Sequence, residues 1–182
     1  NAILSLTSYL VLTLGSLIFL IWRIKLADII ASVAAYLGLL FTLLALITGS
    51  IWGKPMWGTW WIWDARLTSE LILLFLYLGY ISLRSNLLQQ SQDLKPAALL
   101  AIIGSIDLPI IHYSVQWWAT LHQGPTLMQW NHPTIATSML WPLLLMIAAY
   151  FSYFLLMLLL FTRQQIITNE HYKAWVARYF SA

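Results

Sequence analysis

Five long runs of apolar residues constrain the fold of this 182-residue chain more than any other feature of its sequence. Only 8% of the residues are charged, against roughly a quarter in a typical soluble domain, so the runs cannot all be the core of a water-soluble protein. A helix of about 20 apolar residues crosses the hydrocarbon layer of a membrane. We therefore predict an all-α, polytopic transmembrane helix bundle that forms a single integral-membrane domain over residues 1–182. The predicted spans are residues 2–22, 29–52, 67–83, 97–115 and 140–161.

Lysine and arginine counts in the connecting segments predict the orientation of the bundle. Residues 23–28, 84–96 and 162–182 hold two, two and three of these side chains, whereas residues 53–66 hold two and residues 116–139 hold none. Cytoplasmic segments of membrane proteins are enriched in Lys and Arg. We therefore predict that residues 53–66 and 116–139 are outer loops, and that residues 162–182 form a cytoplasmic tail.

Tryptophan is concentrated on the predicted outer side of the membrane. Five tryptophans lie between residues 52 and 63 and three more between residues 117 and 130, out of eleven in the chain. Tryptophans also form belts at membrane interfaces, which is the structural alternative, but a belt would divide them between both faces. The one-sided cluster favours a platform for a large, flat, apolar ligand. The candidate binding residues are Trp57, Trp60, Trp61, Trp63, Trp117 and Trp118.

His122 is the candidate metal ligand, because it follows the Trp117-Trp118 pair closely in the second predicted outer loop. An imidazole is a common axial ligand of haem iron, and aromatic rings suit the faces of a porphyrin. A solvated loop histidine is the alternative. The chain has no Cys, so a C-x-x-C-H attachment site is excluded and any bound haem would be non-covalent. His132 is a weaker candidate in the same predicted loop.

Charged residues flank the start of the third predicted span. Asp64 is suited to cap the helix there, and Glu70 is expected in its first turn, where the helix dipole favours an acid. The functional alternative is that Lys54 or Arg66, together with the positive end of the helix, binds ligand carboxylates such as haem propionates. Asp64 and Arg66 are therefore included among the candidate cofactor-binding residues.

Asp107 and His112 are ionisable residues within the fourth predicted span, which we expect to be broken by Asp107 and Pro109. Ionisable side chains in a membrane are costly and suggest a function. Because Asp107 and His112 are five residues apart, they do not share one helix face well, and we do not expect them to pair.

The stretch from Trp52 to Thr68 resembles the tryptophan-rich signature of haem-handling membrane proteins. Its continuation through Leu71, with residues 108–114 (Leu-Pro-Ile-Ile-His-Tyr-Ser) and 120–124 (Thr-Leu-His-Gln-Gly), is similar to one branch, the haem exporter protein C family of the bacterial cytochrome c maturation system. The resemblance covers most of residues 1–130. It implies a neutral polar residue at position 107, where this chain has Asp107.

The resemblance also implies a fold, a ligand and partners. It implies six spans in the full-length protein, of which this chain would have five, so that the chain would be N-terminally truncated and would lack a first iron ligand. It implies that haem b is held transiently and non-covalently at the periplasmic face of the bacterial inner membrane, with His122 as axial ligand. The haem would be delivered to a periplasmic haem chaperone. The implied partners are ATP-binding-cassette subunits and a small single-span protein, and the implied role is haem transport and not enzyme catalysis.

Two other classes of membrane protein are consistent with parts of this pattern. A b-type cytochrome electron-transfer subunit would hold haem between histidines inside its spans, but only His112 lies in a predicted span. A solute transporter subunit would have polar residues lining several spans, but Glu70 and Asp107 are the only acids within the predicted spans.

Overall fold

The computed structural model describes residues 1–118 and 137–173, and within these ranges the chain is helical and contains no β-strand. The predicted all-α class is therefore confirmed. The helices are α1 (Ala2–Trp22), α2 (Lys25–Trp57), α3 (Ala65–Gln89), α4 (Lys95–Gly104), α5 (Asp107–Trp117) and α6 (Thr137–Asn169).

Five helical segments of the described chain are long and apolar enough to cross a membrane. Four of them correspond to α1, α2, α3 and α6, and the fifth is formed by α4 and α5 together, over Lys95–Val115. The number of predicted spans is thus matched by the helices. Much of α6 is exposed along its apolar length, which suits a helix in contact with lipid.

Consecutive spans run in opposite directions, with α4 and α5 together counting as one span, so the bundle has two distinct ends. At one end, Arg23 after α1 pairs with Asp93 before α4 at 2.9 Å, and Arg84 of α3 pairs with Asp28 of α2 at 2.6 Å. At the other end, Ser5 near the start of α1 donates a hydrogen bond to Glu70 near the start of α3. At this second end α1 and α3 begin, and α2 and α5 end. We call it the tryptophan end, because it includes the tryptophans of residues 57–64 and Trp117.

Small residues allow the first three helices to approach closely. A Cβ atom added to Gly15 would lie 2.9 Å from the Ala27 carbonyl oxygen, and one added to Gly38 would overlap the Tyr77 ring and hydroxyl group. Ala31, Ala34 and Ala35 are completely buried in the same region. The hydrophobic effect does not drive helices together in lipid. Close packing of small residues therefore stabilises the contacts between these helices.

The contact of Gly38 with Tyr77 predicts that Gly38 and Gly49 of α2 differ in how well they tolerate substitution by alanine. Tyr77 is fully buried and its hydroxyl donates to the Ser5 carbonyl oxygen at 2.8 Å, so it cannot move aside for a methyl group. We expect Gly38→Ala to destabilise the protein by about 1–3 kcal/mol through overpacking. Gly49→Ala is the control, because nothing lies within 4 Å of its added Cβ. Thermal unfolding in detergent should show a lowered midpoint only for Gly38→Ala, and equal midpoints would contradict this packing.

The end of α2 differs from the prediction. Residues 53–57, expected in a loop, are the last turn of a helix that ends at Trp57. Gly58 adopts the left-handed conformation, with φ of 77°, and its N–H donates to the Lys54 carbonyl oxygen. Glycine adopts this conformation without steric cost and commonly ends helices in this way. Gly53 and Pro55 are both accommodated within the helix.

Two further helices, α3 and α6, also extend beyond the predicted spans. α3 begins at Ala65 and continues to Gln89, because the polar residue Arg84 has a partner in Asp28 and Leu87 is buried. α6 continues through Asn169 into the predicted tail, where Ser32 of α2 donates to Gln165. In each case a tertiary contact supports helix in a stretch whose composition is polar.

The fourth span is broken, but not at the predicted residues. The interruption lies at Ser105 and Ile106, and Asp107 and Pro109 are both within the first turn of α5. Proline is tolerated in the first turn, where its missing N–H would have no helical acceptor. α5 also runs on to Trp117, inside the segment that was predicted to be an outer loop.

Candidate functional site

The connection between α2 and α3 is short and fixed at both ends. Gly58 ends α2, and Asp64 caps α3 by accepting a hydrogen bond from the Leu67 N–H at 2.8 Å. The predicted capping role of Asp64 is therefore confirmed. The N–H of Asp64 also donates to the Ile62 carbonyl oxygen at 2.9 Å. Trp60, Trp61 and Trp63 are consequently held on a constrained segment between two helix ends.

The tryptophans of this segment differ in their exposure. Trp63 is 75% exposed and Trp60 is 60% exposed, whereas Trp57 and Trp61 are partly buried. Trp52 packs edge-to-face on Trp57 at 5.3 Å between ring centroids, and Trp61 on Trp63 at 5.5 Å. Edge-to-face contacts of this kind stabilise aromatic pairs. The partly buried rings thus support the exposed ones.

Two cations flank the connection between α2 and α3, and one of them, Lys54, lies beside an exposed ring. The Lys54 ammonium group donates to the Gly58 carbonyl oxygen at 3.1 Å and lies 5.8 Å from the centre of the Trp60 ring. Arg66 is in the first turn of α3 and is partly buried. Lys54 is exposed, so it is the more accessible of the two cations for an anionic group on a ligand at Trp60.

A second aromatic cluster lies at the end of α5, at the tryptophan end of the bundle. The Tyr113 and Trp117 rings stack at 5.4 Å with an angle of 20° between their planes, and Trp117 contacts Trp118 at 6.0 Å. Trp117 and Trp118 are both exposed. The fold therefore brings the 57–64 tryptophans and the Trp117-Trp118 pair to the same end, as the sequence predicted.

His112 is exposed on the outside of α5, and its ring contacts Tyr113 edge-to-face at 4.8 Å. Asp107 is buried, so these two residues do not pair, as expected. Of the histidines in residues 1–118 and 137–173, His112 alone lies in a helix able to span a membrane. A haem held between histidines inside the bundle, as in a b-type cytochrome, has no support in this part of the chain.

The predicted iron ligand His122, with Trp130 and His132, lies outside the described residues. Its role stays a prediction. In the described part of the chain, no group of three or more His, Cys, Asp or Glu side chains could hold a metal ion.

A polar group inside the bundle was not anticipated from the sequence. Glu70 is not in the first turn of α3, because that helix begins at Ala65; its side chain is buried and accepts a hydrogen bond from Ser5 at 2.9 Å. Tyr77 and Tyr9 lie beside Ser5 and complete the group. The available signal was the polar side chains Ser5, Ser8 and Tyr9 in an otherwise apolar first span.

Known proteins resemble this chain over almost its whole length. The sequence model of a family described as Heme exporter protein C matches residues 1–177, so the match extends well beyond the limit near Trp130 that the motifs indicated. The Heme exporter protein C of Haemophilus influenzae is 44% identical over 176 residues, covering 97% of this chain and 72% of that protein. The Escherichia coli protein of the same name is 49% identical over 141 residues, covering 77% of this chain and 58% of that protein.

A plant relative is named for cytochrome c biosynthesis. This putative ccmC-like mitochondrial protein of Marchantia polymorpha is 43% identical over 165 residues, covering 91% of this chain and 69% of that protein. The matched family is one of haem transport and not of enzymes, in agreement with the predicted class. The chain spans only part of each relative's length, more than half in every case. On the strength of the family match and these identities, this chain belongs to the haem exporter protein C family.

Proposed function

We propose that this protein binds haem at the outer, periplasmic face of the bacterial inner membrane and delivers it to a periplasmic haem chaperone for c-type cytochrome biogenesis. The observation that carries this proposal is the pair of exposed rings, Trp60 and Trp63, on a connection fixed at both ends in a member of a haem exporter family. Exposed tryptophans are costly in water, and a porphyrin offers them a matching apolar face.

The connection between α2 and α3, residues 58–64, which we call the tryptophan connection, has side chains that fit haem as cargo. Trp60 and Trp63 offer exposed apolar rings, and the partly buried Trp61 packs edge-to-face on Trp63. Indole rings give large contact area with few rotatable bonds, so little conformational entropy is lost when a flat ligand binds. Trp117 and Trp118, exposed at the same end of the bundle, extend the apolar surface.

Lys54 and Arg66 are proposed to bind the haem propionates. Lys54 is exposed beside Trp60, and Arg66 lies in the first turn of α3, where the positive end of the helix dipole also favours an anion. The Asp64 carboxylate accepts from a backbone N–H, so its proposed contribution is to hold the connection in place and not to contact the propionates.

His122 is proposed as the axial ligand of the haem iron. The haem is proposed to be haem b, held transiently, because a chain without Cys can form no thioether bond to the porphyrin. Non-covalent binding suits a protein that passes haem on. The proposed partners are the receiving chaperone, the ATP-binding-cassette subunits and a small single-span protein of the cytochrome c maturation system.

The exposed rings can be tested apart from the iron ligand. We expect the double variant Trp60→Ala, Trp63→Ala to bind haem roughly tenfold or more weakly, since each aromatic contact is worth on the order of 1 kcal/mol. Because both rings are exposed, the thermal stability of the haem-free protein should be nearly unchanged. Titration of detergent-solubilised protein with haemin, followed by quenching of tryptophan fluorescence and by the Soret band, measures the affinity.

Trp22→Ala is the matched control, because Trp22 is an equally exposed tryptophan at the opposite end of the bundle. It should leave haem affinity unchanged. If both variants lose affinity to the same degree, haem partitions non-specifically onto exposed tryptophan, and the proposed surface is wrong.

A further inference from the structure

Four of the six acidic side chains in this protein have a clear electrostatic partner. All six lie in the described residues, so the comparison is complete. Asp28 pairs with Arg84, Asp93 with Arg23 and Lys95, and Glu170 with Lys173, while Asp64 caps α3. The two that remain are Glu70 and Asp107, and neither forms an ion pair in the part of the chain that the structure describes.

These two acids are also among the most deeply buried. Glu70 is 6% exposed and Asp107 is 7% exposed, and both lie within helices able to span a membrane. They belong to α3 and α5, which pack together, and Glu70 lies close enough to act electrostatically on Asp107. Glu70 accepts one hydrogen bond, from Ser5, whereas Oδ2 of Asp107 has no partner within residues 1–118 and 137–173.

A second unpartnered polar group lies beside the acids. The Tyr9 hydroxyl is fully buried and makes no hydrogen bond within the described ranges. It points at Gly104, where an added Cβ would overlap it, and Gly104 is three residues before Asp107. The Tyr9 ring packs edge-to-face on Tyr77 at 5.1 Å, and Tyr77 in turn donates to the carbonyl oxygen of Ser5. Polar groups from α1, α3 and α5 thus converge in one buried region.

The charges that face this region are few. Arg66, on the same helix as Glu70, and the amino group of Asn1 act on Glu70 electrostatically, but no ion pair between either group and Glu70 is present among the described residues. Tyr9 of α1 and Glu70 of α3 are the titratable groups that act on Asp107. Two neighbouring carboxylates without a cation would be very unfavourable in a medium of low polarity.

We propose that Glu70 and Asp107 share one proton at neutral pH and so form an intramembrane proton-binding site beneath the tryptophan connection, with the Tyr9 hydroxyl as a neighbouring hydrogen-bond donor. A single proton removes one of the two negative charges. It also converts an acceptor-only carboxylate into a hydrogen-bond donor for the other acid. Carboxyl pairs that share one proton for this reason are known in enzymes. The site involves no haem and is independent of the proposed haem binding.

Infrared spectroscopy tests this site directly, because the carbonyl stretch of a protonated carboxyl group is separate from the carboxylate bands. We expect the protein at pH 7 to show a protonated carboxyl band that shifts to lower frequency in D₂O. Asp107→Asn and Glu70→Gln should each abolish the band, since the amide then donates the hydrogen bond that the proton supplied. Asp93→Asn, which alters an exposed acid paired with Arg23 and Lys95, should leave the band unchanged.

Two results would overturn the proposal, one from the parent protein and one from the variants. Absence of a protonated carboxyl band at pH 7 would mean that both acids are ionised, as they would be around a bound cation such as Na⁺. A band that survives either Asp107→Asn or Glu70→Gln would mean that the two acids do not share the proton. Either result contradicts the site.

Discussion

Replacing His122 with alanine is expected to remove most of the haem from the purified protein and to shift the Soret band of any haem that remains. The imidazole is the proposed bond between this chain and the iron, whereas the tryptophans make only non-directional contacts with the porphyrin. Loss of that bond should cost on the order of tenfold or more in haem affinity. Added imidazole should restore the parent spectrum, because it can occupy the vacated iron position.

His171→Ala is the matched control for this variant. His171 is an exposed histidine that follows α6, at the end of the bundle away from the tryptophan end, where its ring contacts the Thr168 carbonyl oxygen at 2.8 Å. Its substitution should leave haem content and spectrum unchanged. A parent-like spectrum in His122→Ala would show that another residue binds the iron, while leaving haem binding itself intact.

Removing the acid from the buried ion pair is expected to be the most destabilising single change in the described bundle. Arg84 donates to both carboxylate oxygens of Asp28, at 3.2 and 2.6 Å, and both side chains are nearly buried. Asp28→Ala would leave the Arg84 guanidinium unpaired, at a cost of about 3–5 kcal/mol. Thermal unfolding in detergent should show a large fall in the midpoint.

Two comparisons distinguish a buried unpaired charge from the loss of any ion pair. Asp93→Ala removes an exposed acid from its contacts with Arg23 and Lys95, and exposed pairs contribute only about 0–1 kcal/mol. The double variant Asp28→Leu, Arg84→Met should recover most of the stability, because it replaces the whole pair with apolar groups. If Asp28→Ala and Asp93→Ala destabilise equally, the burial of the Arg84 pair is not what matters.

The features that were predicted well from the sequence depend on residues that are close together along the chain. The apolar runs fix the number of spans, and Asp64 caps α3 because a carboxylate before a helix can reach the free N–H groups of the first turn. The small residues from Ala31 to Gly38 are a similar local signal, because only small side chains permit close helix packing.

The features that the sequence could not predict depend on tertiary contacts. Pro55 and Gly53 are loop signals in isolation, yet Gly58 is the residue that ends α2. Arg84 suggests the end of a span until its partner Asp28 on another helix is known. Glu70 could be recognised as an acid near a helix start, but its contact with Ser5, 65 positions earlier, has no local signal.

The sequence predicted which residue type forms the candidate site, but not which of its side chains are exposed. Counting tryptophans grouped those of residues 57–63 with Trp117 and Trp118, which lie at one end of the described bundle, because the alternation of spans determines which connections share a face. It could not distinguish Trp60 and Trp63, which are exposed, from Trp57 and Trp61, which are partly buried. That distinction depends on how the connection is held between Gly58 and Asp64.

The absorption spectrum of the detergent-purified protein, after expression with ample haem supply, tests haem binding most directly. We predict a Soret band from non-covalent haem that acidified organic solvent extracts completely, at an amount stoichiometric with the chain and lowered in Trp60→Ala, Trp63→Ala. A correctly folded protein without a Soret band, which also fails to acquire one when titrated with haemin, would contradict the proposed function. The exposed tryptophans would then be an interfacial belt.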